Sequence, residues 1–217
     1  MSAASPQEYI ADPSHIEARS FELIRQEAQL DHLSRYEQQV AMRVIHSLGM
    51  PELAQHLRFS GTACAAGMQA LTAQAPILCD AEMVKEGVTK RMISEAPLCF
   101  LNHPETPKLA AQHGETRSMA ALRQWEPHLE GAVVLIGNAP TALFRLIEML
   151  HGGAAKPALI IGMPVGFVGA AESKQLLWEQ HQALGVPCIT LLGRIGGSAV
   201  TAASCNALLR CIRGELY

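Results

Sequence analysis

The sequence has no strong charge bias and few aromatic residues. Of 217 residues, 17 are Lys or Arg and 20 are Asp or Glu, a formal net charge of −3, and aromatics make up 5%. No basic run or aromatic-rich strand supplies a footprint for nucleic acid, which argues against that partner. No apolar run approaches the roughly 18 to 20 residues of a membrane span. Met1 to Asp12 is short and polar, without the apolar segment of a secretory signal. The six cysteines, at 64, 79, 99, 188, 205 and 211, form no CxxC or metal-style cluster, and several sit in apolar stretches as small core residues do. The expectation is a soluble cytoplasmic protein with free cysteines.

Several chemical signatures are missing too. There is no HExxH or HxH, and no His/Cys pair at ligand spacing, so a protein-held metal is not expected. There is no GxxxxGK followed by Ser or Thr. The glycines of Gly162-Met163-Pro164-Val165-Gly166-Phe167-Val168-Gly169 are too far apart for a GxGxxG turn, and no GxSxG elbow occurs. These absences fit a protein that works without an external cofactor.

What is present is a repeated unit. Three apolar strands, beginning near residues 133, 158 and 187, each run into a glycine-containing turn and then a helix. Two further apolar runs, 76–79 and 97–101, end at Asp80 and Asn102. Five short, continuously apolar strands separated by helical stretches predict a single α/β domain with a mostly parallel five-stranded sheet and helices on both faces. At 49% hydrophobic and 17% charged, the chain suits one globular core. The pattern predicts a flexible arm over 1–12, a domain over 13–210 and a frayed tail over 211–217. Helices are expected from about Ile16 to Leu30, from about Tyr36 to Leu48 with Gly49 and Pro51 as stops, from about Gly67 to Ala75, and from Thr116-Arg117-Ser118 onward.

In open parallel sheets ligands bind beyond the carboxyl ends of the strands. Asp80, Asn102, Asn138, Met163 and Arg194 should therefore line one rim. Glycine permits close backbone approach, and N–H groups at helix starts attract carboxylates, so the rim suggests a large, oxygen-rich anionic ligand. On the second helix Val40, Ala41, Val44, Ile45 and Leu48 form one apolar arc. Arg43 and His46 lie opposite it, three residues apart and hence neighbours. Periodicity leaves two readings open: an ordinary solvated face, or a cleft in which Arg43 anchors an anion and His46, titrating near neutral pH, moves a proton. His103 follows a strand end; the other seven histidines read as surface residues.

The sequence closely resembles the precorrin-8X methylmutase family of cobalamin biosynthesis, with its cobalt-precorrin-8 counterpart, from about Tyr9 to Leu208. The resemblance is carried by Ile16-Glu17-Ala18-Arg19-Ser20-Phe21, Arg43-Val44-Ile45-His46, the 75–84 string, Gly87-Val88-Thr89, Thr116-Arg117-Ser118, and the strings around Asn138, Met163 and Gly196-Gly197-Ser198. It implies a homodimeric isomerase that binds a polycarboxylate tetrapyrrole. In the implied reaction a methyl group moves from carbon 11 to carbon 12 of the macrocycle, giving hydrogenobyrinic acid. His46 falls on the catalytic position as proton donor, and Ser20 and Arg43 on substrate-contacting positions. Thr89 and Arg117 match family strings and are assigned to substrate carboxylates. The chain departs from the family pattern at Glu17, where some members carry tyrosine, and in the Ala/Gly-rich segment 60–67. The alternatives are the same chemistry on a cobalt-containing substrate, a corrinoid carrier without turnover, and a generic nucleotide-binding domain.

Overall fold

The computed structural model describes residues 9–217. The 1–12 arm lies largely outside the described residues. Helix α1 (Pro13–Glu27) starts three residues before the periodicity suggests, because the Asp12 carboxylate accepts the His15 N–H at 2.8 Å and Pro13 occupies the first turn. Helix α2 (Arg35–Leu48) follows Ser34, whose N–H donates to Glu37 at 2.8 Å. It ends at Gly49, which adopts the left-handed φ of 68°.

The sheet has six strands in the order β1-β6-β5-β4-β2-β3. They are β1 (Leu57–Phe59), β2 (Ile77–Cys79), β3 (Leu98–Cys99), β4 (Val133–Ile136), β5 (Leu159–Gly162) and β6 (Cys188–Leu191). The five expected strands pair in parallel. The sixth, β1, pairs antiparallel with β6, Leu57 opposite Leu191. Sequence reading passes over β1 because three residues with Arg58 at the centre make no apolar run.

Side chains alternate between two cores. Ile77, Cys79, Val133, Leu135, Leu159, Ile161, Ile189 and Leu191 face a layer formed by α1, α2, α3 (Ala63–Thr72), α4 (Glu82–Gly87) and α9 (Ser198–Ile212). Leu78, Val134, Ile136, Ile160 and Cys188 face the opposite layer, which includes α6 (Arg117–Leu122), with α5 (Thr106–His113) packed on it, α7 (Pro140–His151) and α8 (Ala170–Leu184). Both faces are covered, so the parallel strands are apolar on both sides apart from Thr190 in β6. The Ala/Gly-rich 60–67 segment has a packing reason. A Cβ at Gly67 would come within 2.6 Å of Leu159 and 2.8 Å of Leu208, so glycine lets α3 lie close to β5 and α9.

The tail expectation is corrected. Helix α9 continues to Ile212, and residues 213–217 turn back so that the Tyr217 ring stacks on Phe21 with centroids 3.6 Å apart. A segment that finds an aromatic partner and hydrogen bonds on α1 and α2 does not fray.

Two buried polar side chains tie the C-terminal ends of the strands together. Asp80, 1% exposed, follows β2 and accepts N–H bonds from Gly137 (2.9 Å), Asn138 (2.9 Å) and Ala139 (2.7 Å) in the turn after β4. Burial raises its carboxyl above the ordinary value, against the pull of these donors. Lys174 of α8, fully buried, donates from Nζ to the Ile195 carbonyl at 2.6 Å, and burial lowers its pKa to about 8.

Both ties have measurable consequences. Asp80→Asn turns one acceptor into an NH2 group facing N–H donors. It should lower unfolding stability by about 1–3 kcal/mol in urea titration; an unchanged midpoint would contradict the tie. Lys174 is depressed on folding, so its charged form opposes the fold. Between about 8 and 10.5 the unfolded chain holds a proton that the native chain has lost, so stability rises with pH across that window. Relative to Lys174→Met, wild type should gain up to about 3 kcal/mol over this range. A constant difference between the two proteins would rule out this depression.

Candidate active site

The glycine turns are largely occupied by the protein itself. The N–H groups after β4 are bonded to Asp80. Gly197 N–H donates to the Met163 carbonyl at 2.8 Å, and Gly166 N–H to the Arg194 carbonyl at 3.2 Å. A Cβ at Gly196 would lie 2.3 Å from the Met163 carbonyl oxygen, so here glycine allows two loops to touch. The expectation that these turns leave free N–H groups for an anion is corrected in this respect. Asp80 and Met163 are buried and not open to the rim; Asn102 and Arg194 are exposed and Asn138 half-buried. Phe167 and Val168 project outward from the turn after β5, 84% and 89% exposed, with the Arg194 guanidinium 5.5 Å from the Phe167 ring centroid.

The residues suited to chemistry gather on α1 and α2. Tyr36, near the start of α2, lines the same cavity as Cys211 and Ile212 at the end of α9, so the two helices run antiparallel. Because α9 begins just past β6, the His46 end of α2 lies toward the C-terminal rim of the sheet. The chain after α2 confirms this: the His56 carbonyl accepts the Leu192 N–H just past β6 at 3.0 Å.

On that helix His46 is exposed, and its ring stacks on Phe21 at 5.2 Å with the planes 10° apart. One step earlier, Arg43 is half-buried and donates from Nη2 to Glu17 Oε1 at 2.7 Å. Its guanidinium carbon lies 4.8 Å from the Phe21 ring centroid and 4.5 Å from that of Tyr217. Burial, and then the neighbouring Arg210, lower its pKa from the ordinary arginine value, though it stays a cation. Its Nε is buried and has no hydrogen-bond partner among the described residues. Ser20 is half-buried on α1, its hydroxyl donating to the Ile16 carbonyl at 2.7 Å.

Thr89 belongs to the edge of this region. Its N–H donates to Asn206 Oδ1 at 2.8 Å, and Asn206 is one helical turn from Arg210 on α9. Arg117 is placed differently. It is exposed at the start of α6, with Nη2 donating to the Leu101 carbonyl at 2.9 Å and to Asn102 Oδ1 at 2.8 Å. Among the described residues no hydrogen bond or ion pair links Arg117 to the Arg43 group. Arg43 and His46 are thus brought together against Phe21, Ser20 is the neighbour of Phe21 on α1, Thr89 is tied to the same layer, and Arg117 stands at the strand ends on the opposite layer.

Sequence reading missed four members of the group: Phe21 as the platform for His46, Glu17 as the partner of Arg43, Arg210 and Tyr217. Glu17 and Phe21 are four apart on α1 and so share a face, the one signal available beforehand. A cavity of about 470 Å³ lies elsewhere, at the N-terminal ends of β2 and β3 beside Ile77, Met92 and Leu98. It holds none of the expected site residues.

Comparison with known proteins agrees over nearly the whole chain. The family described as precorrin-8X methylmutase matches residues 15–211. The precorrin-8X methylmutase of Pseudomonas aeruginosa is 53% identical over 203 residues, 93% of this chain and 97% of that protein. The cobalt-precorrin-8 methylmutase of Salmonella typhimurium is 37% identical, covering 94% of this chain and 98% of its own length. The solved precorrin-8X methyl mutase of Thermus thermophilus superposes with a TM-score of 0.83 at 38% identity, covering 94% of this chain and 98% of that one. The chain belongs to the precorrin-8X methylmutase family of isomerases.

Proposed function

We propose that the protein isomerises precorrin-8X to hydrogenobyrinic acid, moving the methyl group from carbon 11 to carbon 12, with His46 as the proton donor and acceptor. The observation that carries this is the pairing of an exposed imidazole, fixed flat on Phe21, with a half-buried guanidinium one helical step away. One group can move a proton while the other holds a carboxylate.

The chemistry asks little more of the chain. His46 gives a proton to ring C of the macrocycle, the methyl group migrates within the same molecule, and the proton returns to His46. Substrate and product are isomers, so nothing else is consumed. Arg43, Ser20, Thr89 and Arg117 serve as contacts for the peripheral carboxylates and fix the reacting carbons. A unimolecular shift gains chiefly from such fixation, and a placed acid adds roughly 10²–10⁴. Glu17 now holds Arg43, so a substrate carboxylate must share or displace it. We assign the working form to a cytoplasmic homodimer, for which exposed Phe167 and Val168 offer apolar area.

The cobalt-containing substrate is the second reading. The higher identity to the relative named for precorrin-8X, 53% against 37%, favours the metal-free one. Conversion assays on both substrates separate them, and a carrier would bind without converting either.

His46→Ala should lower the rate constant for conversion, followed by visible absorption, by at least about 10² while pigment still binds. Normal turnover would remove His46 from the mechanism. Arg43→Ala should weaken binding of hydrogenobyrinic acid by roughly 1.5–3 kcal/mol in an absorbance titration, the range for charge-assisted hydrogen bonds. An unchanged dissociation constant would place Arg43 outside the site.

A further inference from the structure

The segment after α9 holds a residue that neither the family strings nor the helix periodicity points to. Tyr217 meets the Arg43 group in three ways. Its hydroxyl donates to Glu17 Oε1 at 2.7 Å, the same oxygen that accepts Arg43 at 2.7 Å and has Arg210 Nη2 at 3.6 Å. Its ring stacks on Phe21, the platform of His46. That ring also lies 4.5 Å from the Arg43 guanidinium carbon, within cation–π range.

Tyr217 is itself held in place. Its N–H donates to Gln39 Oε1 at 2.8 Å, and Gln39 Nε2 donates back to the Tyr217 carbonyl at 3.1 Å. Arg25 donates to the same carbonyl. Gln39 is buried, and it sits four residues before Arg43 on the same face of α2. The contacts close a loop: α2 fixes the Tyr217 backbone through Gln39, and Tyr217 returns to fix Arg43 on α2 through its ring and through Glu17.

Arginine has a long, rotamer-rich side chain, and an unrestrained anchor would lose that freedom on binding. We propose that Tyr217 is a positioning residue for the substrate, holding the Arg43 guanidinium ready for a carboxylate. Its ring, hydroxyl and backbone divide the work. The hydroxyl fixes Glu17, the ring flanks Arg43, and the backbone is clamped to Gln39. The inference rests on the assignment of Arg43 as a substrate anchor.

The test is a double-mutant cycle, with KM for precorrin-8X and the dissociation constant for hydrogenobyrinic acid as readouts. Tyr217→Ala should raise both by about tenfold and change kcat by less than about threefold, the loss of one hydrogen bond and one cation–π contact. Tyr217→Phe keeps the ring and should raise them by only about threefold. In the Arg43→Ala background, Tyr217→Ala should add less than about twofold, because its partner is gone. Equal losses in both backgrounds, or tighter binding by Tyr217→Ala, would overturn the proposal. So would unchanged binding by the Tyr217 variants while Arg43→Ala still weakens it, which leaves the substrate assignment intact. If Arg43→Ala itself has no effect, that assignment fails and takes this one with it. Should Tyr217→Ala not fold, as judged by near-ultraviolet circular dichroism, Tyr217→Phe in both backgrounds decides the matter.

Discussion

Backbone polar groups at the carboxyl ends of parallel strands must find partners wherever they are shielded from water, and in this protein a buried carboxylate supplies them. Asp80 takes three N–H groups from the turn after β4, joining β2 to the start of α7. Neighbouring turns are joined by direct loop-to-loop bonds and by the Lys174 ammonium on the Ile195 carbonyl. A rim organised in this way is rigid, and much of its donor capacity is already used. The proposed Arg43 and His46 site lies on the helices above it, and the pairing of α2 with α9 brings the His46 end to the C-terminal end of the sheet.

That arrangement has an energetic consequence at Arg43. In the free protein the guanidinium is paired with Glu17, and Arg210 approaches the same carboxylate. Arg210 is itself shared with Glu215, which it meets at 3.4 Å, so a ligand carboxylate would compete with Glu17 for Arg43. A half-buried guanidinium without any counterion would be costly, so Glu17 keeps the site stable until a substrate carboxylate arrives. His46 needs no such partner because it is exposed and held by stacking on Phe21. The proposed anchor is thus paired and shielded, while the proposed proton carrier remains accessible.

How much of this was legible beforehand depends on the range of the interaction concerned. The five parallel strands were readable because burial on both faces writes each as an unbroken apolar run. Strand β1 was not, since an edge strand of three residues carries no such run. The start of α1 is set by the Asp12 cap and Pro13, which apolar periodicity does not register. The glycine turns are readable in the sequence, but not that the N–H groups of the one after β4 go to a carboxylate 57 positions upstream. Tyr217 reads as part of a frayed tail because its partners Gln39 and Glu17 are 178 and 200 positions away. Helical spacing made Arg43 and His46 neighbours, yet only the resemblance gave them roles.

The most direct test of the account is a crystal structure with hydrogenobyrinic acid bound. The account predicts a peripheral carboxylate within hydrogen-bond distance of Arg43, and ring C facing the His46 imidazole across the Phe21 platform. A macrocycle seated elsewhere, with Arg43 still paired only to Glu17 and His46 turned to solvent, would contradict it.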